Sequence, residues 1–424
     1  MDQPFSPPAR GTSPTAAAGA VVAADCGRIA GLVQPGQAGE PAVRVFKGIP
    51  YARPPIGERR WRPPQPADGT IGVYDASGFG PDCPPAQRTA SRAPRADEDC
   101  LYLNVWAPAD ASRGALPVMV WLHGGGFVGG SGADPRCDGA RRGVIVVSFN
   151  YRVGLFGFLA HPALTAESDH QSCGNYGLLD QICALQWIRR NIQAFGGDPE
   201  RITVFGVSAG SASIALLLTS PLAEGLFQQA ILQSPGTARP LASLHDAERA
   251  GLRLGSRIDH LRALSAGELL AKTSLLAPTV RGLTTPRVLR PIRDGWIIPQ
   301  DERPAFKAGR LHVMPIIVGS NRDEGTRLTA SWPLDSLAQY DEQIRDNFAD
   351  AQAQARALYP AARDADVRPR VAEMFADTQF NYGTRLLAET MTAREPRTWR
   401  YLFSRRRPGQ ADGPHHGDEV GHVF

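Results

Sequence analysis

The chain has 424 residues, and its 46 basic residues nearly balance its 42 acidic residues, which leaves a net charge of +4. The basic residues are scattered, with Arg405–Arg407 as the densest run, so the composition does not indicate a nucleic-acid partner. No apolar stretch approaches the roughly 18 residues that a membrane span requires, so we expect no membrane segment.

The amino-terminal residues 1–19 are rich in Pro, Ser and Ala, a composition that predicts a disordered tail. The segment lacks the basic start of a secretory signal, which favours a cytoplasmic location over a secreted or periplasmic one. No change in composition marks a boundary further along the chain. Residues 20–424 are therefore expected to form a single domain.

The six cysteines are too few for a disulfide scaffold, and they show no C-x-x-C spacing of the kind that binds zinc. Most of them are expected to be small buried apolar residues. They are Cys26, Cys83, Cys100, Cys137, Cys173 and Cys183.

Short runs rich in Val, Ile and aromatic residues predict strands, and several are of the continuous type that is buried on both faces of a sheet. They are Val43–Phe46, Leu101–Val105, Val118–Leu122, Val144–Phe149, Ile202–Phe205, Gln229–Gln233, Ile316–Val318 and Thr398–Phe403. Apolar residues at intervals of three or four predict a helix from Leu178 to Phe195, which ends at Gly196. Strands that alternate with helices predict an α/β fold with a mostly parallel sheet.

A glycine-rich stretch, His123-Gly124-Gly125-Gly126, follows the predicted strand Val118–Leu122. Its glycines can turn backbone amides toward negative charge that develops on a carbonyl oxygen. A phosphate-binding loop is the alternative, but neither of the usual glycine-rich phosphate motifs is present there. The stretch therefore favours an oxyanion-binding loop.

The pentapeptide Gly206-Val207-Ser208-Ala209-Gly210 matches the pattern G-x-S-x-G. It lies between the predicted strand Ile202–Phe205 and an Ala- and Leu-rich segment, Ala209–Leu218, that predicts a helix. In this context the serine is a nucleophile at a strained turn, and the amide of Ala209 can donate to an oxyanion. An ordinary glycine-rich turn is the alternative, but the context favours Ser208 as a nucleophile.

A serine nucleophile needs a histidine base, which in this class of fold follows the serine along the chain. The histidines that lie far enough along are His415, His416 and His422, on a Gly- and Pro-rich loop after Thr398–Phe403. The acidic residues of this loop also suggest a metal site. Because H-E-x-x-H and similar spacings are absent, no metal is expected.

The acid that orients the base has candidates directly beyond the predicted strand Ile316–Val318. These are Asp323 and Glu324, in the stretch IIVGSNRDEG. Taken alone, such a pair is most often a solvated turn, so the residues by themselves leave the choice open.

With these motifs in order, the sequence resembles the type-B carboxylesterase and cholinesterase family of α/β-hydrolases from about Ala20 to its last residue. The matching stretches are FKGIPYARPPIGERRWRPPQP, EDCLYLNVWAP, VMVWLHGGGFVGG, VVSFNYRVGLFGFL, GNYGLLDQICALQWIRRNIQAFGGDPERITVFGVSAG, PIIVGSNRDEG and PHHGDEVGHVF. The resemblance implies the α/β-hydrolase fold, in which helices flank a central, mostly parallel twisted sheet. It also implies a serine hydrolase that cleaves small-molecule carboxylic esters through an acyl-enzyme, without a cofactor.

The resemblance assigns the family's functional residues to positions in this chain. The nucleophile, acid and base fall on Ser208, Glu324 and His416. The oxyanion donors fall on the backbone amides of Gly125, Gly126 and Ala209. The family's first disulfide maps to Cys83 and Cys100, and its buried ion pair maps to Arg60 and Glu98.

The chain departs from the family's pattern in features that bear on activity. Val207 replaces a common glutamate, and the loop between Cys83 and Cys100 lacks the tryptophan with which cholinesterases face a quaternary ammonium, so choline esters are not expected to be preferred.

Relatives continue for several tens of residues after the histidine loop, so the domain at 20–424 is expected to lack the family's C-terminal helices. We therefore expect a weakly anchored His416, poor solubility and weak activity. The alternatives are an inactive or impaired fragment of such an esterase and a non-catalytic binding member of the family.

Overall fold

The computed structural model describes residues 20–36, 40–69, 72–85, 93, 95–110, 115–133, 139–276, 283 and 289–423. The tail predicted over residues 1–19 lies outside these ranges. The strands are β1 (Val21–Ala24), β2 (Gly27–Ala30), β3 (Leu32–Gln34), β4 (Val43–Pro50), β5 (Val73–Asp75), β6 (Tyr102–Pro108), β7 (Leu116–Leu122), β8 (Ile145–Phe149), β9 (Gly197–Val207), β10 (Gln229–Gln233), β11 (Ile316–Asn321) and β12 (Thr398–Phe403).

The α-helices are α1 (Gly154–Phe158), α2 (Pro162–Ala166), α3 (Tyr176–Asn191), α4 (Ala209–Leu217), α5 (Leu244–Gly251), α6 (Ile258–Ala263), α7 (Ala266–Ala271), α8 (Glu302–Lys307), α9 (Thr326–Thr329), α10 (Leu337–Phe348), α11 (Gln352–Leu358), α12 (Asp364–Ala376) and α13 (Tyr382–Thr392). A π-helical turn, Asp377–Asn381, joins α12 to α13. Within the described ranges, no helix combines the length and the apolar character needed to cross a membrane.

The larger sheet has nine strands in the order β12-β11-β10-β9-β7-β8-β6-β4-β3, counted over the described residues. From β12 to β8 each neighbouring pair is parallel, whereas β6, β4 and β3 extend the sheet with antiparallel pairs. Strands β1, β2 and β5 form a separate small sheet. The predicted α/β fold with a mostly parallel sheet is confirmed.

The apolar runs of the central strands reflect burial on both faces of the sheet. On β7, Val120 and Leu122 belong to the main hydrophobic core, while Trp121 packs on the opposite face against Phe205 of β9, with ring centroids 5.0 Å apart. Alternate side chains of one strand therefore meet two different apolar layers. This explains why these strands have no polar face in the sequence.

Every predicted strand of the sequence is present, with ends that differ by a few residues. The predicted helix is α3, continued by a 3₁₀ turn over Ile192–Phe195 that stops at Gly196, whose φ is 95°. The sequence reading missed β1, β2, β3 and β5, which are three or four residues long. Such short strands carry too few side chains to show a periodicity.

The structure contains both residue pairs that the resemblance implied. Cys83 and Cys100 form a disulfide with Cα atoms 5.0 Å apart. The Arg60 guanidinium donates to both carboxylate oxygens of Glu98, at 2.7 and 2.5 Å, and to three backbone carbonyls of the segment around α6, including that of Leu261. These pairs anchor the segment that precedes β6 to the body of the protein.

We expect the disulfide to be detectable as two additional thiols when the denatured protein is reduced. Thiol counting under denaturing conditions, with and without dithiothreitol, measures this difference. A Cys83→Ser/Cys100→Ser variant is the control and should show no such increase. The same variant should lose about 3 kcal/mol of unfolding free energy, since the bond closes a loop of moderate length. An equal thiol count in reduced and unreduced wild-type protein would contradict the expectation.

Candidate active site

Ser208 lies at the sharp turn between β9 and α4. Its φ of 56° and ψ of −118° are unusual for a residue other than glycine. The turn packs closely on the end of β7, since a methyl group on Gly210 would lie 2.0 Å from the carbonyl oxygen of Leu122. Only glycine permits this approach, and it leaves the half-buried Ser208 at the amino terminus of α4.

The loop after β7 passes directly beside Ser208. A methyl group placed on Gly124 would lie 3.3 Å from Cβ of Ser208. Gly125 has a φ of 120°, which L side chains rarely adopt. The His123 ring stacks on Tyr151, with centroids 4.1 Å apart, and holds the start of the loop. Packing and glycine geometry thus place this loop next to the serine.

The amides predicted as oxyanion donors are unpaired in the structure. Among the described residues, the N–H groups of Gly125, Gly126 and Ala209 donate no hydrogen bond. The Ala209 amide is one of the first N–H groups of α4, which have no partner within a helix. These amides are available to an oxygen that gains negative charge.

Glu324 lies fully buried just beyond the end of β11. Its Oε1 accepts hydrogen bonds from the Ser234 hydroxyl at 2.5 Å and from the backbone N–H of Asn321 at 2.6 Å. Its Oε2 lies 2.5 Å from Nδ1 of His416. The carboxylate is therefore held by two donors while its second oxygen orients the imidazole.

The loop that carries His416 is tied to the end of β11. The Asp323 amide donates to the Pro414 carbonyl at 3.0 Å, and the Asn321 side chain donates to the His415 carbonyl at 2.6 Å. The ring of Phe380 packs on His416, with centroids 4.7 Å apart. Within the described residues, the buried Nε2 of His416 has no hydrogen-bond partner, so the structure joins His416 to Glu324 but not to Ser208.

The other candidate histidines face elsewhere. Nε2 of His415 lies 3.1 Å from Asp412, and its Nδ1 lies 3.6 Å from Asp323. The ligand atoms of Asp323, Asp412 and His415 lie within 4.8 Å of one another, but Asp412 is exposed, and exposed acidic groups are common without a metal ion. The His422 ring contacts Phe403 on β12. Of the three histidines, only His416 has a ring nitrogen within hydrogen-bond distance of the fully buried Glu324 carboxylate.

Neighbouring parallel strands bring these residues together. Ser208 follows β9, Ser234 follows β10 and Glu324 lies beyond β11. The Ser208 backbone amide donates to the carbonyl of Gln233 at 2.9 Å, so the turn of the serine is bonded to the last residue of β10, directly before Ser234. The carboxyl ends of parallel strands meet at one edge of a sheet, the usual place for a site in this class of fold.

A cavity of about 960 Å³ adjoins this edge. Phe127, next to Gly126 in the glycine loop, forms part of its wall. Gln379 and Asn381 form another part, on either side of the Phe380 that packs on His416. Ser208 is not among the lining residues, so the cavity lies beside the serine rather than around it.

The electrostatics of the site favour the protonated form of His416. Burial of the ring lowers its pKa, but the hydrogen bond to Glu324 and the charges of Glu324 and Glu419 raise it, and the net shift is upward from 6.5. Burial also raises the pKa of the Glu419 carboxyl, and its hydrogen bond from Asn321 opposes that change. The neutral imidazole, the form that can accept a proton, is therefore dominant only at higher pH.

We expect kcat/KM for an ester to fall on the acid side with a midpoint above pH 6.5, because a protonated His416 cannot act as a base. Glu419→Gln should move this midpoint to lower pH, since it removes a negative charge that stabilises the imidazolium. A pH profile of kcat/KM measures both values. Glu389→Gln, at an exposed surface ion pair on α13, is the control. A midpoint that moves upward in Glu419→Gln would contradict this account.

Several residues at the site were not predicted from the sequence. Ser234 and Asn321 bond the buried Glu324, Phe380 packs on His416, and Glu419 contributes charge. Ser234 follows a predicted strand, so the strand-end rule would have indicated it. Phe380 lies in a helical region that shares no motif with the site, and no local signal indicated it.

Comparisons with known proteins identify the family to which the chain belongs. The sequence model described as the Carboxylesterase family matches residues 18–424. The fumonisin B1 esterase of Sphingopyxis macrogoltabida is 48% identical over 388 residues, which span 90% of this chain and 72% of that protein. The para-nitrobenzyl esterase of Bacillus subtilis (strain 168) is 36% identical over 396 residues, spanning 85% of this chain and 76% of that protein.

A further relative and a solved structure extend the likeness. The cholinesterase of Mus musculus is 38% identical over 333 residues, which span 72% of this chain and 54% of that protein. The solved structure of a PNB esterase superimposes with a TM-score of 0.80 at 34% identity, covering 95% of this chain and 84% of the other. The chain therefore belongs to the carboxylesterase family and has its α/β-hydrolase fold.

Proposed function

We propose that this carboxylic ester hydrolase acts through an acyl-enzyme, with Ser208 as nucleophile, His416 as general base and Glu324 as the residue that orients the base. The amides of Gly125, Gly126 and Ala209 bind the oxyanion. No cofactor takes part in this scheme.

In the first half of the reaction, the Ser208 hydroxyl attacks the ester carbonyl while Nε2 of His416 takes its proton. The carbonyl oxygen becomes an oxyanion, which the backbone amides stabilise. The intermediate then collapses, and the imidazolium returns the proton to the departing alcohol. Glu324 stabilises the imidazolium through Nδ1.

In the second half, water attacks the acyl group on Ser208. His416 takes a proton from the water and then protonates the serine oxygen as the carboxylic acid leaves. Each step needs the imidazole to turn the same nitrogen toward the serine. The packing of Phe380 on the ring and the hydrogen bond from Nδ1 to Glu324 limit the rotation of the imidazole, which supports this role.

The hydrogen bond between His416 and the buried Glu324 is the observation that best supports this proposal. Nε2 of His416 is buried without a hydrogen-bond partner among the described residues, so this nitrogen is free to accept a proton. The unpaired backbone amides of Gly125, Gly126 and Ala209 also support a catalytic role over a non-catalytic binding role.

A screen of p-nitrophenyl esters of increasing acyl length tests the proposal, and fumonisin B1, the substrate named for the relative at 48% identity, belongs in the same panel. We expect burst kinetics or a covalent acyl adduct on Ser208 detectable by mass spectrometry. If no ester is cleaved faster by the wild-type enzyme than by Ser208→Ala, the proposal is wrong.

We also expect a neutral ester to be preferred over a choline ester. Acetylcholine and 3,3-dimethylbutyl acetate share an acyl group and a shape, and they differ in the charge of the alcohol. Val207 supplies no carboxylate next to Ser208, so nothing at that position attracts the cation. Steady-state kcat/KM for the two esters decides the matter, and a higher value for acetylcholine would reverse the expectation.

A further inference from the structure

The cavity beside the proposed oxyanion loop is lined by more cations than anions. Of its described lining residues, the basic ones are Arg239, Arg290, Arg303, Arg385 and Arg400. The acidic ones are Glu302 and Asp377. A cavity with one prevailing sign of charge concentrates ligands of the opposite sign.

Of the two acids, Glu302 offsets only part of this positive charge, whereas Asp377 remains an anion in the cavity wall. Glu302 is buried and accepts hydrogen bonds from the Thr237 hydroxyl and the Ala238 amide. Burial raises the pKa of its carboxyl to about 7, so near neutral pH much of it is uncharged. Asp377 accepts hydrogen bonds from Tyr359 at 2.9 Å and from Asn381 at 2.8 Å.

Arg290 lies next to Gly126, one of the proposed oxyanion donors. A methyl group placed on Gly126 would lie 3.6 Å from Nη2 of Arg290. The guanidinium also lies 6.0 Å from the centre of the Phe127 ring. Because Gly126 is a proposed oxyanion donor, an ester carbonyl bound there would have this guanidinium within a few bond lengths.

Arg239 lines the same cavity with a fixed guanidinium. Its Nε donates to the Gly236 carbonyl at 3.0 Å, and its Nη1 donates to the buried Gln379. A guanidinium held in this way loses little conformational entropy when it binds an anion. Arg385, by contrast, is exposed and pairs with Glu389.

We infer that the substrates of this enzyme are esters that carry a free carboxylate. Arg290 binds this carboxylate, and Arg239 adds to the positive electrostatic potential of the cavity. This inference rests on the proposed function of the adjoining site. A planar carboxylate matches the paired N–H donors of a guanidinium. The same charges disfavour a cationic alcohol group, in agreement with the expected discrimination against choline.

The test compares pairs of esters in which one member carries a free carboxylate and the other carries the ethyl ester of that carboxylate. Monoethyl succinate carries a carboxylate on the acyl half, and diethyl succinate is its neutral counterpart. Acetoxyacetate carries a carboxylate on the alcohol half, and ethyl acetoxyacetate is its neutral counterpart. We expect kcat/KM to favour the charged member of at least one pair by about tenfold, the scale of one hydrogen bond to a charged group. The pair that shows the preference identifies the half of the ester that faces Arg290.

Arg290→Gln should reduce the charged-to-neutral ratio of kcat/KM by about tenfold, and Arg290→Lys should retain part of it. Arg249→Gln is the matched control, because Arg249 is an exposed arginine on α5, outside the cavity lining, and pairs with Asp246. It should leave the ratio as in the wild type.

A binding measurement separates this inference from the proposed chemistry. Calorimetry with Ser208→Ala should show tighter binding of a charged ester than of its neutral counterpart, and added NaCl should weaken the difference. If wild-type enzyme cleaves neutral esters but neither charged ester is preferred in rate or binding, the inference is wrong and the esterase proposal stands. If the charged ester is preferred in binding but no ester is cleaved, the esterase proposal is wrong and the inference of a carboxylate-binding cavity stands.

Discussion

Replacement of Ser208 by alanine is expected to abolish ester hydrolysis while the fold is retained. Loss of the nucleophile of a serine hydrolase costs on the order of 10⁶ in rate, because binding and the oxyanion site alone accelerate the reaction only weakly. Turnover of a p-nitrophenyl ester, together with a melting curve, measures activity and fold in parallel. Ser208 is half-buried on a turn and makes no side-chain cap to α4, so stability should change little.

Ser211→Ala is a matched control for this experiment. Ser211 lies on the same helix, is fully buried and, among the described residues, has a hydroxyl without a hydrogen-bond partner. Its removal should leave kcat close to the wild-type value. Wild-type turnover in Ser208→Ala, or an equal loss in both variants, would show that Ser208 is not the nucleophile.

Replacement of His416 by alanine is expected to lower kcat by about 10⁴-fold to 10⁶-fold, because the serine then has no base. Replacement of the adjacent His415 should cost far less activity, within about tenfold, since its ring contacts Asp412 and Asp323 and acts on the structure of the loop. His415→Ala should instead lower the melting temperature, because a buried ring is lost.

The comparison of these neighbours separates chemistry from loop structure. Both variants remove an imidazole from the same loop, so general damage to the loop would affect them alike. Single-turnover rates and melting temperatures are measured for each. A severe loss of activity in His415→Ala with a mild loss in His416→Ala would reverse the assignment of the base.

The parts of the molecule that carry local signals could be predicted from the amino-acid sequence. The continuous Val and Ile runs of β7 and β8 predicted buried parallel strands, because strands covered on both faces have no polar side. The turn at Ser208 and the loop at Gly124–Gly126 were recognisable because each lies directly between a strand and the next element. Strands β1, β2, β3 and β5 were missed because they are short and lie outside the region of alternating strands and helices.

Which side chains from distant parts of the chain come into contact could be seen only in the folded structure. His415 and His416 are adjacent in the sequence, yet one faces Asp412 and the other faces Glu324. That choice depends on how a loop lies against the end of β11, a contact between residues more than ninety positions apart in the chain. The sequence pattern of a loop records no such direction.

The same reason applies to the other groups around Ser208, Glu324 and His416. Ser234, Phe380 and Arg290 come from separate elements, and each reaches the site because parallel strands end at a common edge and the helical segments fold over it. A sequence motif identifies residues whose role depends on the residues next to them in the chain. Side chains that act through packing and charge become visible only when the strands and helices are placed together in space.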